Sequence, residues 1–495
     1  MVIALSLPLL GCLSNEIIPA AIDLPKAYRA GPSKPDSALP SVVWWRGFRS
    51  KELTDLMEET LTSNFDIAVA VARVVQADAT SRIAGAALLP AVDFNGSANR
   101  SGSSDTVGNR NTTNAGLGGG ALSQYGISLS ASYEIDFWGK NRAALRSAEE
   151  LAVATRFDRE VVALTTVSTT AITYFAVLAA KDRLDIARNN IEAADRVYKL
   201  IKQRFDVGTA SALDVAQQEA LLATQRASVP PLEQSLRQNI ALLALLIGRT
   251  PEAVRIRVTS MTALAIPPVT PGLPSDLIAQ RPDIREAEAT LASANADVHN
   301  ARAQFFPSIT LTAEGGYQTS ALKNLVRPES TFFNLAAGLL QPVLEGGRIQ
   351  GNFDFQKGKQ DAALQLYRKS IVNGFVEVEQ ALVAVQQAAR LVRLQGDAVE
   401  ASRKAFELSE TRLREGTVDL ITVLNTQTAL FQAQDALALA RLSRLNAVVS
   451  LFKALGGGWQ KPKPDAPKVG EAPPPVEQVT FPGTEPPRPA GQSRH

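Results

Sequence analysis

Few residues in this chain could do chemistry. Its 495 residues include 1 Cys, at position 12, and 2 His, at positions 299 and 495. A lone thiol closes no intrachain disulfide and founds no zinc site built on Cys pairs. His299 sits among Asp297 and Asn300 in a helical stretch and reads as a solvated or interface residue. Glu377 and Glu379 lie two apart, so on a helix they do not share a face. Gly456-Gly457-Gly458 with Lys461 lacks the spacing of a phosphate loop, and the glycines from Gly116 to Gly120 carry no dinucleotide fingerprint. With 51 basic and 49 acidic residues the net charge is +2, which gives no field for nucleic acid. The inventory predicts no enzyme, no metal site and no cofactor.

Cys12 is the exception. Residues Val2 to Gly11 are uncharged and too short to span a bilayer, so residues 1–11 read as the apolar core of a signal peptide. The usual positive flank is missing, which predicts a true start upstream. Leu9-Leu10-Gly11-Cys12 reads as a lipobox, whose thiolate is a good nucleophile toward an activated lipid. Cys12 is thus expected to carry a covalent diacylglycerol and acyl lipid, and Leu13 after it favours sorting to the outer membrane.

An internal duplication organises the rest. Gly139 recurs as Gly347, Val207-Gly208-Thr209 as Glu415-Gly416-Thr417, and Leu246-Ile247-Gly248 as Ala454-Leu455-Gly456, always 208 positions on. Upstream, Asp66-Ile67 and Leu89-Pro90 recur as Asp283-Ile284 and Phe306-Pro307, 217 positions on. The difference is an insertion containing the Ser-, Gly-, Asn- and Thr-rich stretch 101–120, a loop. Expected boundaries follow. An N-terminal extension covers 12–50. Repeat 1 covers 51–257, with a helix over 51–88, strands over 91–103 and 121–136, a long helix over 139–205 and a helix over 210–247 that Pro230-Pro231 breaks. A Pro-rich extended linker covers 258–281. Repeat 2 covers 282–458, with a helix to Phe305, strands over 308–320 and 332–343, a long helix over 348–413 and a helix over 418–455. The Pro-rich stretch 459–495 reads as a disordered tail.

The strands alternate. Ile127, Leu129, Ala131, Tyr133 and Ile135 oppose Ser128, Ser130, Ser132, Glu134 and Asp136, and Val92, Phe94 and Ala98 oppose Asp93, Asn95, Ser97 and Asn99. One apolar and one polar face fit a barrel greasy outside and wet inside. Four strands cannot close a membrane barrel, whose smallest examples have about eight, so several chains must share it. No proline interrupts Gly139 to Gly208 or Gly347 to Gly416. At 1.5 Å per residue these runs form helices of about 100 Å. Ile191, Ala194, Val197, Leu200, Ile201 and Phe205 recur near a heptad spacing, which predicts coiled-coil packing. Val161 to Ala180 is uncharged over a membrane-span length, but its six Ser and Thr side chains favour a soluble helix. Gly208 and Gly416 mark the tips of helical hairpins.

These motifs resemble those of TolC-type outer-membrane efflux channels, in the lipid-anchored subgroup serving resistance-nodulation-division pumps. The resemblance rests on Trp44-Trp45-Arg46-Gly47-Phe48, Asn64-Phe65-Asp66-Ile67, Tyr133-Glu134-Ile135-Asp136-Phe137-Trp138-Gly139-Lys140, Leu273-Pro274-Ser275-Asp276-Leu277, Arg281-Pro282-Asp283-Ile284 and Gln341-Pro342-Val343-Leu344-Glu345-Gly346-Gly347-Arg348, in the family's order. It implies a mostly α fold with a β-barrel part. A homotrimer would share a twelve-stranded outer-membrane barrel, continued by a twelve-helix periplasmic barrel and an equatorial belt. Gly139 and Gly347 would be the barrel-to-helix transitions. Val207, Gly208, Thr209, Glu415, Gly416 and Thr417 would be the tips that dock a periplasmic adaptor (membrane fusion protein), beyond which an inner-membrane resistance-nodulation-division transporter supplies the work. Asp214 stands where the family narrows its periplasmic mouth with acid. Thr422 and Asn425 hold the corresponding places in copy two, and Leu413 and Val418 replace the usual aromatic and basic partners. A pairing of Asp214 with Arg412 or Arg414 is expected in their stead. The implied function is a passive exit duct in the outer membrane of a Gram-negative bacterium, in contact with outer-membrane lipid. The alternative is a periplasmic coiled-coil adaptor or scaffold lipoprotein, which has no need of apolar-faced strands between helices.

Overall fold

The computed structural model describes residues 28–29, 41–102, 122–269, 272 and 280–458. Repeat 1 runs α1 (Lys51–Ser63), α2 (Phe65–Ala86), β1 (Ala91–Ser101), β2 (Leu122–Ile135), α3 (Lys140–Asp206), α4 (Ala212–Ala227) and α5 (Val229–Leu246). Repeat 2 runs α6 (Pro282–Ala303), β3 (Ser308–Thr319), β4 (Thr331–Leu340), α7 (Arg348–Arg414) and α8 (Leu420–Ala454). Both long helices have 67 residues, about 100 Å each.

The four strands form one antiparallel sheet in the order β1-β2-β3-β4. Its register obeys the duplication. The Ile309–Leu339 pair of the second hairpin maps, by the 217 and 208 steps, onto Val92 and Ala131, which pair in the first. Ala131 pairs in turn with Ala313 across the junction of the copies. Apolar residues therefore lie beside apolar ones on one face, while Ser130 meets Asp93 and Glu314 on the other. β4 keeps the register but not the polar face, since Phe332, Ala336 and Leu340 lie on the side opposite its apolar-face residues. Phe333, Leu335, Ala337 and Leu339 share the apolar face through Gly315, Ala313, Leu311 and Ile309.

Two expectations are corrected. The first helix is not continuous over 51–88, because Asn64 adopts an extended conformation (φ −71°, ψ 132°) between α1 and α2. Its Oδ1 accepts the Asp66 and Ile67 N–H groups at 2.9 and 3.1 Å, an N-cap that starts a new helix. Near Pro230-Pro231 the interruption is one turn residue, Ser228, with both prolines in the first turn of α5, where missing N–H groups are harmless. The stretch from the end of repeat 1 into the expected extended linker is in part a packed strap. Val254, Ile256, Val258 and Leu264 lie against the main core. Its backbone is held by Lys181, whose Nζ donates to Ile256 O (2.7 Å) and Val258 O (2.8 Å). Glu52 accepts the Arg257 and Val258 N–H groups, and Asp182 accepts that of Met261.

That core forms a belt at mid-length of α3. Trp44, Trp45, Phe48, Met57, Tyr174, Phe175, Leu178, Leu243, Ile247 and Phe452 pack together, with Trp44 stacked on Phe452 at 5.0 Å between ring centroids. The uncharged stretch 161–180 lies in this belt. Thr166, Ser168, Thr170 and Thr173 are buried there, and Ser168, Thr169 and Thr170 donate to carbonyls four residues back. A second core joins α3, α4, α7 and α8 near the tips through Ala194, Val197, Ile201, Leu222, Phe406 and Val423.

Candidate functional site: junction, belt and tip of a helical wall

At the junction of sheet and helices, Gly139 and Gly347 precede the long helices with φ of 76° and 84°, a left-handed turn that glycine adopts without a Cβ penalty. Asp136 caps α3, accepting the Asn141 N–H (3.0 Å), the Arg142 N–H (2.9 Å) and the Arg142 guanidinium. Burial alone would raise its carboxyl, but these bonds hold it below the usual carboxylate range. Trp138 stacks on Phe306 at 4.6 Å and donates Nε1–H to Pro307 O. Lys140 pairs with Glu134 and Arg348 with Glu345. Aromatic rings beside basic side chains suit a membrane–water boundary.

In the belt, each copy is stapled by a contact obeying the duplication. Asn64 Nδ2 donates to Leu246 O at 2.8 Å, and Arg281 Nη1 donates to Ala454 O at 2.8 Å. Arg281 lies 217 positions after Asn64, and Ala454 lies 208 after Leu246. Beside each staple a glycine with positive φ, Gly248 or Gly456, ends the returning helix against the backbone of Ser63 or Gln280. Arg281 does more than its counterpart. It is buried and also holds Asp283 and Glu377, each at 2.6 Å, so it ties α6 to α7 and α8. His299, half-buried in α6, is pushed down first by burial and then by Arg302 and Arg146. Among the described residues no three His, Cys, Asp or Glu side chains converge on a metal position.

The two tips share one geometry. Gly208 (φ 77°) donates to Phe205 O and Thr209 to Arg204 O, while Gly416 (φ 73°) donates to Leu413 O and Thr417 to Arg412 O. Val207, 73% exposed, caps the first tip. Leu213 and its counterpart Ile421 are 65% and 55% exposed, an apolar pair that the 208 step makes recognisable. One carboxylate oxygen of Asp214, Oδ2, is engaged inside the chain. It accepts the Ser211 N–H (2.8 Å) and Oγ–H (2.9 Å), and the Asp214 N–H donates to Ser211 Oγ, a capping box. In copy two the roles are exchanged, with Asp419 accepting the Thr422 N–H and Oγ1–H at 3.0 and 2.6 Å. These bonds depress the Asp419 carboxyl. Within one chain the expected Asp214 pairing with Arg412 or Arg414 is absent: Arg414 bridges Glu410, and the tip cation that crosses between copies is Arg204, donating to Leu413 O at 2.7 Å. Asn425 is exposed on α8, and Cys12 lies outside the described residues.

An open four-stranded sheet with one apolar face suits a share of a membrane barrel. The family model described as outer membrane efflux protein matches residues 56–249 and 273–457. The pyoverdine export outer membrane protein OpmQ of Pseudomonas aeruginosa is 40% identical over 417 residues, covering 84% of this chain and 87% of its own. The toluene efflux pump outer membrane protein TtgF of Pseudomonas putida is 33% identical, covering 92% and 96%. Among solved structures, the outer-membrane channel OprN superposes with a TM-score of 0.82 at 27% identity, over 89% of this chain and 98% of that one. The chain belongs to the outer membrane efflux protein family. It is the outer-membrane channel of a tripartite efflux pump, spanning outer membrane and periplasm.

Proposed function

We propose that the chain acts as a homotrimeric, passive exit duct anchored by lipid at Cys12. The carrying observation is the unclosed sheet. Among the described residues, β1 and β4 are edge strands of eleven and ten residues, each with one side unpaired. Edges of that length invite pairing with another chain. Three chains bring twelve strands, enough to close a barrel. The face of Phe94, Leu129 and Leu335 then meets lipid, and that of Asn95, Ser130 and Glu314 lines the lumen. The tips at Val207, Gly208, Thr209, Glu415, Gly416 and Thr417, with Leu213 and Ile421 beside them, offer apolar and backbone groups to a periplasmic adaptor. An inner-membrane resistance-nodulation-division transporter supplies the energy, because the duct has no energy-coupling motif of its own. The reading assigns the chain no catalysis. Relatives carry names from pyoverdine export to toluene efflux. A polar lumen tolerates such a range, and cargo choice falls to the partner transporter.

The test is reconstitution of the purified chain in planar bilayers. Unitary ohmic steps without nucleotide or ion gradient are expected, and a lipid-inserted trimer that passes no current would contradict the duct. Labelling with radioactive palmitate in cells tests the anchor: the wild type takes up label and Cys12→Ser does not.

A further inference from the structure

We propose that the outer end of the sheet is a docking surface for a phosphorylated, acylated glycolipid of the outer leaflet. The helices meet the sheet beside Ala91, Ile135, Ser308 and Leu340. They are periplasmic, so the opposite end, at Ser101, Leu122, Thr319 and Thr331, lies toward the cell exterior. The proposal rests on that placement alone, not on the number of chains that share the barrel.

Charge divides the two ends of the sheet. At the periplasmic end each cation has its acid: Lys140 pairs with Glu134, Arg142 with Asp136 and Arg348 with Glu345. At the outer end Arg100, Lys323 and Arg327 are exposed, and none of their side chains bonds to another described residue. Glu329 is the one acid there among the described residues, so three cations against one anion leave a surplus of two. Within 103–121 the sequence adds only Asp105 and Arg110, whose charges cancel. Solvated cations at a membrane surface draw anionic headgroups.

Apolar groups stand beside these cations. The register puts Arg100 on the apolar face with Ala98, whose partner is Tyr125, and Tyr317 and Phe333 share that face. Aromatic rings near the end of the strands suit the outer membrane boundary. The connection from β3 to β4 repeats an apolar–basic pair as Leu322-Lys323 and Val326-Arg327, with Leu322 63% and Val326 73% exposed. That connection is built before any ligand arrives. The Asn324 N–H donates to Ala321 O, the Ser330 N–H to Arg327 O and the Ser330 Oγ–H to Asn324 O, each at 2.9 Å. Arg100 stands on β1, two to three strand spacings from the connection, a gap of about 10–14 Å. One phosphate cannot bridge that gap, whereas a disaccharide phosphorylated at both ends can. The ligand class is therefore a bisphosphorylated glycolipid, with its acyl chains along Tyr125, Tyr317 and Phe333.

The experiment is lipid retention by the detergent-extracted full-length protein. It is titrated with bisphosphorylated lipid A, with the phosphate-free form or with phosphatidylglycerol, and read by native mass spectrometry. The wild type should hold bisphosphorylated lipid A about tenfold more tightly than either of the others. Lys323→Gln with Arg327→Gln should weaken that binding about 25-fold, roughly fivefold per cation. Lys323→Arg with Arg327→Lys keeps both charges and should bind as the wild type does. Arg403→Gln with Lys404→Gln, which removes two exposed cations of α7 far from the sheet, should also leave binding unchanged. Wild-type binding by the Lys323→Gln, Arg327→Gln protein, or an equal loss in the α7 control, overturns the docking surface; circular dichroism establishes that each variant is folded. Equal retention of phosphatidylglycerol and bisphosphorylated lipid A overturns the glycolipid.

Discussion

Arg281 is the side chain on which the second copy closes. Its guanidinium serves Ala454 O, Asp283 and Glu377 from a buried position. Glu377 is largely solvated, so most of the loss in Arg281→Ala should come from the stranded carbonyl and the cavity, about 1–3 kcal/mol. Chemical denaturation should show that loss, and Asn64→Ala in copy one should lose a comparable amount, since it strands the Leu246 carbonyl and removes the N-cap of α2. Gly456→Ala places a Cβ 2.7 Å from Gln280 O at a φ of 80°. Left-handed strain of about 1–2 kcal/mol plus that overlap should destabilise the belt. Glu286 offers a pH test. Burial, then Asp158 and Asp283, raise its carboxyl from 4.5 to about 7. The fold therefore favours the protonated form. Its stabilisation is complete below 4.5 and is lost as pH rises through 7. Glu286→Gln should melt with the wild type at pH 5 and above it at pH 8, followed by circular dichroism; equal melting at both would contradict the assignment.

At the scale of elements, the tips depend on their caps. Ser211→Ala removes the acceptor for the Asp214 N–H, and loss of an N-cap costs about 0.5–2 kcal/mol locally. Hydrogen exchange should show faster exchange in the first turn of α4, with the belt unchanged; unchanged exchange at the tip would contradict the capping role. Much at this scale was legible in the sequence. The absence of proline located both long helices to within a residue or two, and period-two alternation marked the first three strands, the fourth being more uniformly apolar. The break at Asn64 was not, because Asn in an otherwise helical run reads as interior until its partner, the carbonyl of Leu246, is known. Ser211 and Asp214 stood in plain capping order, but charge at a narrowing mouth drew the reading of Asp214 toward a distant arginine. Asp419 and Thr422 hide the same device by exchanging the acid and the hydroxyl.

For the whole molecule, the sequence showed a duplication but not how its halves close on themselves. The belt brings Glu52 to Tyr174 and to the strap at Val258, contacts far apart along the chain that no local pattern announces. Burial and the adjoining Glu52 push the Tyr174 hydroxyl well above its ordinary range. Nor did the mean hydropathy of −0.01 betray a membrane protein, since apolar strand residues alternate with polar ones. The central claim is that one chain supplies a third of a barrel. The most direct measurement is the protein mass of the detergent-extracted assembly by light scattering, corrected for bound detergent. Three copies of the chain are predicted; a monodisperse single chain that retains its helical content would contradict the account.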